Sequence, residues 1–320
     1  MHMKNKGIIV SLFLISFSFN SFAETKLTGF SFSPEIGFLN GKIIENVWRA
    51  NMTYTNSSIS YSPTTKESRL DWNIDNRLFY GFNINAAFND KILLELNFKN
   101  ALSGTCGEME DFDWRNGADP DHLTDYSIHT NVLENLSQVN FNIGYIFYLN
   151  KNHSISMTPK VGLESQRIAF SGKNGWGIYE SKGWAITSYE GKTVITYEQS
   201  YLAPLLKLST NFLFLNNFEA NIDLSAVIIP KMECLDFHYR SDRLYIYNDK
   251  IQNAWKFKGK LALHWRINSF NKIGLQSSIT LMPDTYGFTY IDNSTNPSPS
   301  SLGGTSRFLW TYGFVYTFYF

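Results

Sequence analysis

Two short motifs carry the residues of this chain best suited to chemistry. In Asp236-Phe237-His238 the acid and the imidazole stand two positions apart, so extended backbone puts both side chains on one face. A carboxylate beside an imidazole fixes its tautomer and stabilises the imidazolium, as a general base requires. In Asp111-Phe112-Asp113-Trp114 two carboxylates share a face in the same way. Their mutual repulsion raises one pKa, so the pair can hold a proton or position a water. Taken singly, each motif also has a plainer reading: a polar contact in a lumen for the first, a solvated acidic loop or a loose cation site for the second. The other histidines sort by elimination. His2 belongs to the N-terminal leader, His153 to a turn and His264 to a mid-strand position, which leaves His122 and His129 beside His238. Ser127 and His129 have the residue types of a nucleophile and its base, but no evident acid orients the imidazole.

Such pairs need a scaffold that brings distant segments to one place, and the C-terminal stretch shows what it is. From Ser306 to Phe320 one parity reads Phe308, Trp310, Tyr312, Phe314, Tyr316, Phe318, Phe320, and the other Arg307, Leu309, Thr311, Gly313, Val315, Thr317, Tyr319. Aromatics on every alternate position are the mark of a lipid-facing strand. Unpaired backbone groups are too costly in hydrocarbon for this strand to remain an edge, so it must pair with the first strand and close a barrel. Lys4, Lys6, the apolar run Ile8 to Phe19 and the small residue Ala23 form a secretory signal peptide over residues 1–23, the run being too short to span a bilayer as a helix. The rest, residues 24–320, reads as one barrel. The formal net charge of zero argues against nucleic acid as a partner. Cys106 and Cys234, in an exported and oxidising setting, could form a single disulfide.

Taken in order, the chain alternates short turns with long polar segments. A first strand (Thr25 to Trp48) and a loop (Asn51 to Lys66) precede a strand from Glu67 to Phe88, which turns at Asn89-Asp90. Next, Ile92, Leu94, Leu96 and Phe98 alternate with Glu95, Asn97 and Lys99. A second loop (Ser103 to Asn131) holds both Asp111 and Asp113. Strand four presents Val139, Phe141, Ile143, Tyr145, Phe147 and Leu149 outward and turns at Asn150-Lys151-Asn152. A Gly-rich loop (Gly172 to Gly191), a turn at Asn216-Asn217 and a fourth loop (Tyr239 to Lys250) follow. The set reads as about ten strands: an all-β, antiparallel transmembrane β-barrel with long extracellular loops. A soluble barrel with the apolar parity inward is the alternative, disfavoured by Glu95, Lys99, Glu219, Asp223, His264 and Arg266 on the polar parity. Strands of nearly twenty residues, tilted by ~40°, stand well above the ~25 Å apolar band, so the barrel projects on its long-loop side.

Beyond the two pairs, Gly41-Lys42-Ile43-Ile44-Glu45, Leu70-Asp71-Trp72, Thr124-Asp125-Tyr126-Ser127-Ile128-His129 and Tyr197-Glu198-Gln199 occur in order along the chain. With Asp111-Phe112-Asp113-Trp114 and Asp236-Phe237-His238-Tyr239, the chain resembles the omptin family of Gram-negative outer-membrane aspartyl-type endopeptidases. The resemblance implies catalytic roles for Asp111, Asp113, Asp236 and His238. His238, oriented by Asp236, would take a proton from a water held between it and Asp111, with Asp113 in support and no covalent intermediate. It implies a substrate pocket at Glu45 and at Cys234, which replaces a family aspartate, with Asp125 beside the site. A basic side chain before the scissile bond would then lose one of two carboxylates, and the preference there is expected to be relaxed or shifted. No cofactor is implied. Outer-membrane lipid and lipopolysaccharide, the latter needed for activity, are the implied partners of a monomer cleaving peptides or host proteins at the cell surface. A surface adhesin or invasin with weak or lost protease activity is the second reading; a plain channel is a third, disfavoured because so small a lumen fills with side chains.

Overall fold

The computed structural model describes residues 26–55, 58–215, 217–239, 243–299 and 301–320; the signal peptide lies outside them. The strands are β1 (Leu27–Tyr54), β2 (Ile59–Phe88), β3 (Ile92–Ala101), β4 (Gly104–Asp113), β5 (Asp125–Tyr145), β6 (Phe147–Tyr148), β7 (Ile155–Tyr179), β8 (Ile186–Ser188), β9 (Thr193–Phe214), β10 (Phe218–Tyr239), β11 (Leu244–Arg266), β12 (Asn271–Ile291) and β13 (Ser301–Tyr319). β3 with β4 and β5 with β6 each make one stave, and β8 is a short flap on β7, so the ring has 10 staves. All pairings are antiparallel, and β13 closes onto β1 from Ser31 opposite Tyr319 to Arg49 opposite Ser301.

The parities of the C-terminal strand are those of a membrane-spanning wall. Phe308, Trp310, Tyr312, Phe314 and Phe318 are exposed, whereas Arg307, Leu309, Val315 and Thr317 are buried. Inside, the polar parity is neutralised pair by pair. Lys160 and Lys207 reach Glu95 at 2.5 and 2.9 Å, Lys207 also reaches Asp223 at 3.0 Å, and Lys256 meets Glu164. His264 lies at the turn end of its strand rather than at mid-height.

Much of what reads as long loops is strand. β1 and β2 run for 28 and 30 residues, so the first loop is the tip of a tall hairpin. β4 and β5 take up most of the second loop and β11 begins at Leu244. At ~3.3 Å per residue and ~40° tilt a strand of this length stands ~75 Å, about three times the apolar band. Above the membrane both faces of the wall can be polar, which blurs the alternation that marks a strand. The upper interior is not a wet lumen either: Ile43, Leu70, Trp72, Met109, Leu133, Phe170 and Tyr197 are buried there.

Bulges make that inversion. Low on β2, Tyr80 faces out and Phe79 in, yet higher up Leu70, Trp72 and Ile74 are the buried residues. The parity changes because the register between β1 and β2 slips between Leu39 and Gly41, where Asn76 adopts φ 47. One extra residue in one strand sends every later side chain to the other face; Asn tolerates the left-handed conformation, and its N–H donates to Asn40 Oδ1 at 2.9 Å. β10 does the same. Ile222 and Leu224 face outward, the register with β9 slips between Val227 and Met232, and beyond the slip Met232, Cys234 and Asp236 are buried.

The disulfide is not formed. Cys106 and Cys234 are both free and buried. Cys106, on β4, points its thiol at the Asn73 carbonyl at 3.7 Å, and Cys234, on β10, lies beside Asp249 and Tyr197.

Candidate active site

The two motifs face each other across the mouth of the projecting part. Asp111 and Asp113 lie at the end of β4, opposite Ser127 and Asp125 of β5; Asp236 and His238 lie at the end of β10. His238 Nε2 is hydrogen-bonded to Asp236 Oδ2, which leaves Nδ1 to accept a proton. The imidazole packs edge-on against Tyr247, with ring centroids 5.2 Å apart.

Electrostatics couples the two sides. Burial disfavours a charge on His238, but Asp236, by charge and hydrogen bond, then Asp111 and Asp113, outweigh it and raise the pKa above the usual 6.5. Burial and then Asp113 push Asp111 well above the ordinary carboxylate range, opposed by His238 and Arg115. Ser68 Oγ donates to Asp111 Oδ1 at 3.5 Å. Arg115 bridges Asp113 at 2.5 Å and Asp125 at 3.2 Å. Asp125 is thus tied to Asp113 through Arg115.

Glu45, on β1, is 1% exposed. Burial, followed by the charges of Asp236, Asp249 and Asp111, raises its pKa well above the usual value. Cys234 lies one alternation below Asp236, opposite Gln199 of β9 and Asp249 of β11. Beneath is a rigid floor. Trp72 stacks on Phe170 and Tyr197 at 5.4 and 5.9 Å, and Gln199 donates to Tyr197 at 2.8 Å and Thr305 at 2.7 Å.

Ser127 and His129 do meet, at 2.9 Å, but the other ring nitrogen lies 2.6 Å from the Asn174 carbonyl rather than against an acid. His122 contacts Glu180 at 3.3 Å. Arg115, Tyr247 and Asp249 were not legible as site residues. Asp249 could have been found by counting the β10–β11 hairpin register outward from its turn.

A family model described as the Omptin family matches residues 26–318. The chain belongs to the omptin family. Among curated relatives, this omptin is 23% identical over 293 residues to the outer membrane protease IcsP of Shigella flexneri, covering 88% of each chain. It is 24% identical over 250 residues to the plasminogen activator of Yersinia pestis, covering 75% of this chain and 74% of that protein. Its fold is similar to that of the outer membrane protease OmpT from Escherichia coli, with TM-score 0.77 and 20% identity over 93% of this chain and 99% of that one. This omptin is an outer-membrane β-barrel with its tall end outside the cell. An epitope tag inserted at Lys151, in a short turn at the opposite end, is therefore expected to stay unlabelled on intact cells and to label after permeabilisation. Labelling on intact cells would reverse the orientation.

Proposed function

We propose that this omptin is an endopeptidase that hydrolyses peptides or host proteins at the cell surface by activating water between Asp111 and His238. The observation that carries the reading is the mutual electrostatic reach of Asp111 and His238, from staves far apart around the ring. Water seated between them gives a proton to His238, and the nascent hydroxide attacks the peptide carbonyl carbon. Asp236 orients the imidazole and stabilises its charge. Asp113, held by Arg115, keeps Asp111 prone to retain a proton, so Asp111 can hydrogen-bond the water without setting a second full charge against the hydroxide. Lipopolysaccharide is the proposed activating partner and a monomer the working form. With both pairs intact at the mouth, an adhesin role is secondary to proteolysis.

The experiment is a pH profile of peptide-library cleavage by purified, lipopolysaccharide-reconstituted protein. The base must be neutral, and its pKa is raised in the folded protein. Activity therefore falls as pH drops through that raised value. A rate independent of pH from about 5 to 9, or no peptide cleaved, overturns this reading.

A further inference from the structure

We propose that Asp249 is a specificity-determining residue: with Glu45 it forms a two-carboxylate socket beside the Asp236–His238 pair that takes the cationic side chain, guanidinium or ammonium, of the residue before the scissile bond. The inference rests on the peptidase reading above. The preference expected to weaken with Cys234 is then shifted by one strand rather than lost.

Register and space put Asp249 there. It pairs directly with Cys234 across β10 and β11, is 3% exposed, and accepts a hydrogen bond from Thr289 Oγ1 at 2.8 Å. Its carboxyl lies against the backbone of Gly303 on β13: a Cβ at 303 would stand 1.8 Å from the Asp249 carboxyl carbon. The absence of a side chain at 303 is what admits the carboxyl.

The socket lacks a positive charge. Glu45 Oε2 is buried with no hydrogen-bond partner, and Glu45 is electrostatically coupled to Asp236 and Asp249. Neither Glu45 nor Asp249 forms an ion pair with a lysine or arginine among the described residues. Arg307, whose charge reaches Cys234, has both terminal nitrogens committed to Gln166 and Gln199. Buried like charges without a counter-ion are unfavourable, and a guanidinium or ammonium relieves both carboxyls at once. Tyr197, on β9, is buried beneath and electrostatically coupled to both acids and to Cys234. No anionic or apolar side chain would satisfy Glu45 Oε2.

A pH dependence follows. Facing Asp249 are Glu45 from β1, Tyr197 from β9, Cys234 and Asp236 from β10 and the Thr289 hydroxyl from β12. Burial, resisted by Thr289 and reinforced by Asp236, pushes Asp249 up to about 7. The charge that attracts the cation is present above that value and lost below it, so preference for Arg over Ala should grow as pH rises through it.

The test uses full-length protein reconstituted with lipopolysaccharide and two peptides differing only in Arg or Ala before the cut. Wild type is expected to favour Arg, and Asp249→Asn to reduce the Arg-to-Ala ratio of kcat/KM by roughly tenfold or more, the size of a charged hydrogen bond. Gly303→Ala, which displaces the carboxyl, should move the ratio the same way, and Cys234→Asp should change it less than Asp249→Asn does. Heat-modifiable migration confirms that each variant folds. A ratio near one in wild type, or a ratio untouched by Asp249→Asn, overturns the proposal, as does a Cys234→Asp effect larger than that of Asp249→Asn. Calorimetric binding of N-acetyl-arginine amide separates the two readings. Binding lost in Asp249→Asn supports the socket even if no peptide is cleaved, whereas cleavage without such binding overturns the socket alone.

Discussion

His238→Ala or Asp111→Ala is expected to lower kcat/KM for peptide cleavage by roughly 10²–10⁴-fold, the usual contribution of a positioned general acid or base. The two losses should not add in the double variant, because both residues act on one water. Both side chains are only half-buried, at the mouth and outside the apolar core, so heat-modifiable migration should match wild type. Ser127→Ala should retain much of the activity: Ser127 is bonded to a histidine whose second nitrogen meets a backbone carbonyl, so the dyad has no acid to make it nucleophilic. Full activity in His238→Ala would sink the water-activation reading and leave the adhesin one; loss of activity in Ser127→Ala matching that in His238→Ala would favour a serine nucleophile.

The second large effect falls on stability. Lys256 and Glu164 are each about 2% exposed and meet in the lumen, where Tyr201, at 2.5 Å, and Gln138, at 2.9 Å, also donate to Glu164. Lys256→Met leaves the Glu164 charge buried without its cation, a change that costs about 3–5 kcal/mol when one partner of a buried pair is removed. The temperature at which the barrel loses its folded migration should fall accordingly. Glu164→Gln combined with Lys256→Met removes both charges and should recover most of the loss, because the penalty belongs to the orphaned charge. A single Lys256→Met variant as stable as wild type would mean that the pair contributes nothing to holding the staves together.

Much of this molecule follows from sequence by elementary rules. Phe308 to Phe320 alternates with polar and small residues, and a strand with an apolar outer face has to close on another when its surroundings offer no hydrogen bonds. The turn at Asn89-Asp90, where both residues take positive φ, is written in residue types that tolerate it. Asp-x-Asp and Asp-x-His each put two side chains on one face wherever the backbone is extended.

Which face that would be was decided only in the tertiary structure. Continued regularly from Ile222 and Leu224, the period of β10 would carry Asp236 and His238 outward; the slip between Val227 and Met232 turns them in. A bulge is one residue of mismatch between two strands, a property of the pairing rather than of either sequence. The same holds for Asp249, assigned to a loop by its polar neighbours and placed opposite Cys234 only once the hairpin register was known. Period and residue type are local, so a sequence displays them directly; register and bulges depend on the partner strand, and on them rests the meeting of β1, β4, β10 and β11 at one mouth.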